Sequence, residues 1–85
     1  MKVQATPRFI RDIKKLHPSE KSALDEAVNA LLEAPLSGEA KKGDLASLRV
    51  YKYKHNNQQQ LLAYQIQAGA LVLAATVVMK IFIAI

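Results

Sequence analysis

The apolar residues of this chain change their spacing once, near Leu48, and the change divides it into a helical half and a sheet half. Before that point Phe9, Ile13 and Leu16 recur at i, i+4 and i+7, and Leu24, Val28, Leu31 and Leu32 form a second stripe of the same period. Thr6-Pro7 offers an N-cap followed by a first-turn proline, which predicts a first helix of about ten residues. His17-Pro18 breaks it, because the residue before a proline avoids helical angles, and Pro18 then opens a second helix that Pro35 ends. After Leu48 the period is nearer two. Leu48, Val50, Tyr51 and Tyr53 interleave with Arg49, Lys52 and Lys54, and residues 61–67 and 71–76 read as two further strands joined by the tight turn Ala68-Gly69. Residues 3–5 read as a short first strand and residues 55–60 as a polar turn. The predicted order is β-α-α-β-β-β, an α+β fold in which a helical hairpin packs on a small, mostly antiparallel sheet.

A chain of 85 residues, 51% of them hydrophobic, is long enough for one core and too short for two, so residues 1–85 are expected to form a single domain. With no cysteine there is no disulfide, thiolate zinc site or thiol nucleophile. Lys2 is not followed by an apolar run of signal-peptide length, and a cytoplasmic location is expected. The net charge of +5 is unevenly distributed. All the carboxylates precede Leu45, whereas Arg49, Lys52, Lys54 and Lys80 stand in a half with none. Clustered bases without acids favour a polyanionic partner, nucleic acid or acidic protein, and exclude paired-carboxylate catalysis from that half.

The order of elements and several local strings resemble the RelE/ParE superfamily of toxins from bacterial type II toxin–antitoxin modules. These strings are Phe9 with Arg11, Lys14-Lys15-Leu16, Leu31-Leu32 before Pro35, Lys42-Gly43-Asp44-Leu45, the run from Arg49 to Lys54, and Leu61-Leu62-Ala63-Tyr64. The resemblance spans residues 1 to about 76 and rests on order and spacing rather than on one diagnostic motif. It implies a ribosome-dependent mRNA endoribonuclease that needs no metal or other cofactor, the ribose 2′-hydroxyl attacking the adjacent phosphate. It further implies a cognate antitoxin, the ribosome and mRNA as partners, with no membrane involvement.

Such a reaction needs cations for the charge developing on phosphorus, a base for the hydroxyl and an acid for the leaving oxygen. Lys52 and Lys54, one strand face apart by two, match the basic pair of the family's catalytic strand and are the expected transition-state contacts, with His55 as a candidate for proton transfer. Arg49, Lys41 and Lys42 are expected RNA-backbone contacts, which position rather than specify. Each has a plainer role open to it. Alternating lysines also make a solvated sheet face, an edge lysine discourages aggregation, and a histidine beside a polar turn is often only hydrated. His17 reads as a helix-end residue, and Tyr51, Tyr53 and Tyr64 as sheet packing. The family's arginine on the strand after the hairpin turn is replaced by Leu61.

Residues 71–85 hold thirteen apolar residues, one threonine and one lysine, where many relatives carry a polar tail resembling Gly-Ser-His-Glu-Asn-Phe-Tyr-Arg-Asp-Leu. Read one base earlier, the codons of Met79 and Lys80 force a glutamate, and the flanking triplets permit the rest of that tail. A single-base deletion near the codons of Thr76 and Val77 is therefore expected, and with it a weakly active or inactive chain. An apolar tail at a strand end is also expected to promote a homodimer through the C-terminal strand. Three other functions compete: a ParE-like inhibitor of DNA gyrase, a tail-anchored membrane protein and a plain nucleic-acid-binding domain. Residues 68–85 would make a helix about 27 Å long against a hydrocarbon core of about 30 Å, but with Lys80 inside it.

Overall fold

The computed structural model describes residues 1–40 and 48–79, apart from the side chains of Val78 and Met79. Strand β1 (Lys2–Ala5) leads into helices α1 (Pro7–Lys14) and α2 (Pro18–Glu33), a 3-10 turn (Pro35–Ser37), and strands β2 (Glu39–Ala40), β3 (Arg49–His55), β4 (Gln58–Gln67) and β5 (Ala70–Met79). The strands form one sheet in the order β1-β5-β4-β3-β2, parallel between β1 and β5 and antiparallel elsewhere. The expected α+β architecture is present, with one short strand, β2, that the sequence reading did not separate from its loop.

Both helices begin as their first residues dictate. Thr6 Oγ1 accepts the Phe9 amide at 3.2 Å and donates to the Ala74 carbonyl at 2.9 Å, so one hydroxyl caps α1 and ties it to β5. α1 is eight residues long, with Arg11 and Lys14 in its last turn, where cations suit the negative end of the helix dipole. His17 precedes α2, and its amide donates to Glu20 Oε1 at 3.1 Å, the helix-end role expected of it.

The polar run after Lys54 is not a six-residue turn. Asn56 (φ 51°) and Asn57 (φ 63°) alone make the reversal, because asparagine tolerates the left-handed region, and the glutamines that follow already belong to β4. Their polarity concealed a strand whose alternate positions face opposite ways. Gln60 is buried to 1% exposure, whereas Gln58 is exposed. At the other end of β4, Ala68 (φ 48°) and Gly69 (φ 76°) form the second two-residue turn. β5 runs to Met79, beyond the expected end at Thr76, because Val77, Val78 and Met79 continue to pair with Leu61, Gln60 and Gln59.

The core lies between the helices and one face of the sheet. Phe9, Leu24, Ala27 and Leu31 meet Leu62, Tyr64, Leu71 and Leu73, with Ile13, Val28, Tyr51 and Tyr53 packed around them. A bulge lies between Ala63/Ala75 and Tyr64/Leu73 and leaves Ala74 without a partner on β4. α1 takes up the groups this releases: Thr6 binds the Ala74 carbonyl, and Asp12 Oδ2 accepts the Thr76 amide at 3.2 Å. Thr76 is itself buried, its hydroxyl donating to the Leu61 carbonyl at 3.2 Å. Among the described residues no helix is long and apolar enough to cross a membrane, and residues 70–79 of the apolar C-terminal stretch are strand.

Candidate functional site

The register of β3 against β4 decides which of its side chains are available. Tyr53 stands opposite Gln60 and Tyr51 opposite Leu62, and since Gln60 and Leu62 lie buried beneath the helices, the odd-numbered residues of β3 face the helical layer. Lys52 and Lys54, opposite Leu61 and Gln59, project from the other face, and both are exposed. Two residues of strand separate their Cα atoms by about 7 Å. The floor beside them is built from Leu61 and Ala63 of β4 and from Val72, Ala75 and Val77 of β5, with Val77 48% exposed. Glu39 of β2, opposite Val50, puts one exposed carboxylate on this face, and the described residues of β3, β4 and β5 add none.

The remaining candidates are not gathered there. His55 is half-buried on the opposite, helix-facing side of β3, across from Gln58, and its Nε2 is buried without a hydrogen-bond partner among the described residues. A ring on that side does not share a face with Lys52 and Lys54. Arg49 also points toward the helical layer, where its Nη2 donates to the Leu36 carbonyl at 3.1 Å and holds the 3-10 turn against the sheet. Lys41 and Lys42 lie outside the described residues.

The tyrosines pack as expected, with additional polar work for one of them. Tyr51 and Tyr53 stack with ring centroids 6.2 Å apart and planes 23° from parallel. Burial pushes the Tyr53 phenol above its ordinary value of 10.0, and the Glu20 carboxylate adds to the shift; the hydroxyl is buried without a hydrogen-bond partner among the described residues. Tyr64, wholly buried, accepts the Gly38 amide and donates to the Pro35 carbonyl at 2.7 Å, so it fixes the end of α2 and the entry to β2. Sequence reasoning missed that role, because the sequence of Tyr64 does not distinguish a ring that only packs from one whose hydroxyl has partners 26 and 29 residues away.

Chemically, two ammonium groups over an apolar floor can hold a phosphate and stabilise charge developing on it. Among the described residues no group of three or more histidines and carboxylates comes together to hold a metal.

The fold is shared with solved toxins. The crystal structure of the intact E. coli RelBE toxin–antitoxin complex matches with a TM-score of 0.70 at 18% identity, over 88% of this chain and 92% of that one. An arginine-substituted E. coli RelE bound to a peptide of the antitoxin RelB matches with a TM-score of 0.70 at 16% identity, over 88% and 79%. The solution structure of HP0894 from Helicobacter pylori, a conserved hypothetical protein, matches with a TM-score of 0.57 at 19% identity, over 92% and 93%. No curated protein matches the chain. The family model of the ParE-like toxin of type II bacterial toxin–antitoxin systems matches residues 3–81, nearly the whole chain. The chain therefore belongs to the ParE-like toxins of type II bacterial toxin–antitoxin systems.

Proposed function

We propose that this toxin acts on RNA, as a ribosome-dependent, metal-independent mRNA endoribonuclease, and that its protein partner is a cognate antitoxin. The observation that carries the reading is the joint projection of Lys52 and Lys54, both exposed, from the sheet face opposite the helices. In the reaction the ribose 2′-oxygen bonds to the adjacent phosphorus, the 5′-oxygen leaves with a proton, and a 2′,3′-cyclic phosphate remains. The two ammonium groups stabilise the extra negative charge on the phosphorane. The solved complexes of RelE-type folds with RelB support the choice of an antitoxin as partner.

Among the described residues Glu39, opposite Val50, is the carboxylate on the lysines' face, and His55 faces the other way. With no described histidine on the lysines' face the chain is a weak enzyme, slower by about 10²-fold or more than one with such a group in place. Inducing this chain, and the same gene with one base restored before Val77, in a host lacking the antitoxin tests this. Growth arrest with mRNA cleavage only from the restored gene supports the reading. Arrest without mRNA cleavage overturns it.

The absence of a described histidine on the lysines' face also favours a second reading, a toxin that inhibits DNA gyrase by binding alone. Purified protein added to a gyrase supercoiling assay and to cell-free translation separates the two, since a gyrase inhibitor stops the first and spares the second.

A further inference from the structure

Of the three consecutive glutamines that open β4, only Gln59 shares a face with the two lysines. The Asn56-Asn57 reversal is closed by His55 and Gln58 as a hydrogen-bonded pair, so Lys54/Gln59, the next pair along, is a non-hydrogen-bonded one. Facing side chains start close together there, with Cβ atoms about 4.5–5.5 Å apart. Gln58 and Gln60 lie on the helix side instead, with Gln60 buried. Gln59 is half-buried, and its amide makes no hydrogen bond to a described residue. Gln65 and Gln67, farther along the same strand, are bonded to each other.

We infer that Gln59 reads the base of the nucleotide whose phosphate Lys52 and Lys54 hold, and that the base it selects is adenine. The inference rests on the RNA reading above. Beside the amide the face is apolar: Leu61 stands opposite Lys52 on one side and Val77 on the other, Leu61 half-buried and Val77 48% exposed. A base lying there is one strand spacing, about 4.8 Å, from the lysine row and within reach of Gln59. The carboxylate of this face is at the far end. Glu39 stands opposite Val50, on the side of Lys52 away from Lys54, so its charge turns a polyanion toward the end of the hairpin where Gln59 sits.

The amide decides which base. Its Oε1 accepts and its Nε2 donates, side by side in one plane. Adenine presents a donor next to an acceptor on both of its edges, N6–H beside N1 and N6–H beside N7. Guanine does so on its Watson–Crick edge alone and shows two acceptors, N7 and O6, on the other. Cytosine and uracil have one such edge and a smaller ring to lay on Leu61 and Val77. A lysine reading a base instead of a phosphate would favour guanine.

The test is an NMR titration of the full chain with RNA pentamers that carry A, G, C or U between flanking uridines, read at the Gln59 side-chain amide and the backbone amides of β3 and β4. The adenine pentamer should bind about 5-fold or more tighter than the other three. Replacing its adenine by purine, which lacks the N6 amine, should remove that advantage. Gln59→Met keeps the length of the side chain and removes its polar atoms. In that variant the adenine and purine pentamers should bind equally, with the salt dependence of the native chain retained because both lysines remain. A guanine preference, an adenine preference that survives Gln59→Met, or equal binding of adenine and purine by the native chain overturns the inference. So does the absence of binding by every pentamer. Binding that is lost in Lys52→Ala yet ignores the central base removes this inference and leaves the RNA reading in place. Adenine-selective binding with no mRNA cleavage from the restored gene keeps Gln59 as a base reader and removes the nuclease reading.

Discussion

The Tyr64 hydroxyl accepts the Gly38 amide at 3.0 Å, and the ring leaves no room for a side chain there: a Cβ on Gly38 would lie 2.6 Å from Tyr64 Cε1 and 2.9 Å from Cζ. Gly38 has φ −74°, a conformation open to any residue, so the neighbouring ring, not the backbone, demands glycine. Gly38→Ala should cost about 1–3 kcal/mol through overpacking. Tyr64→Phe should cost about 1–3 kcal/mol, because it strands the Gly38 amide and the Pro35 carbonyl. The residues touch, so the double variant should depart from the sum of the singles by about 0.5 kcal/mol or more. Urea unfolding of the four proteins measures this.

Thr6 is more than a helix cap, since its hydroxyl also donates to the bulge carbonyl of Ala74. Thr6→Ser keeps both hydrogen bonds and should change stability by less than about 0.5 kcal/mol, whereas Thr6→Ala should cost about 1–2 kcal/mol. Equal effects of the two substitutions in thermal unfolding would show that the hydroxyl contributes nothing.

Tyr53 sets an alkaline limit to stability. Its phenol is held above the ordinary value of 10.0 chiefly by burial, so the folded chain retains a proton that the unfolded chain releases. Its contribution is therefore complete below pH 10 and is lost as pH rises from there through the folded-state value. Denaturant unfolding at a series of pH values up to about 11 should show a steeper alkaline fall for the native chain than for Tyr53→Phe. Parallel curves would refute the assignment.

Lys52 and Lys54 are exposed, so replacing them should leave folding intact while removing function. Lys52→Ala and Lys54→Ala should each shift stability by no more than about 0.5 kcal/mol. Each should lower the slope of log RNA affinity against log salt by about 1 if the lysine contacts a phosphate. Affinity measured from low to moderate salt decides whether the lysines form a solvated face or a binding one.

Ala68 occupies the left-handed region at φ 48°, immediately before Gly69 in the turn from β4 to β5. A β-carbon in that conformation costs roughly 1–2 kcal/mol, which asparagine tolerates better and glycine avoids. Ala68→Gly and Ala68→Asn should both stabilise the chain, by up to about 1 kcal/mol, visible as a raised midpoint in urea unfolding.

The sequence by itself determined the two helices, their proline boundaries and four of the five strands among the described residues. Those features depend on neighbours: Thr6 with Pro7, His17 with Pro18, and an apolar residue every third or fourth position. It also determined that Lys52 and Lys54 share a face, because strand period makes i and i+2 equivalent. It did not determine which face. That was decided by Gln60 and Leu62 of β4, whose burial beneath the helices sends Tyr51, Tyr53 and His55 inward and both lysines outward. The resemblance made Arg49 an RNA-backbone contact and His55 a candidate for proton transfer; cross-strand register puts both on the side opposite the lysines, where Arg49 binds the Leu36 carbonyl. The parallel pairing of β1 with β5, the bulge at Ala74 and the closure of Tyr64 over Gly38 likewise join residues far apart in the chain. Local sequence sets the period of each element, while the facing of a side chain is a property of pairs of elements, and only packing them together selects it.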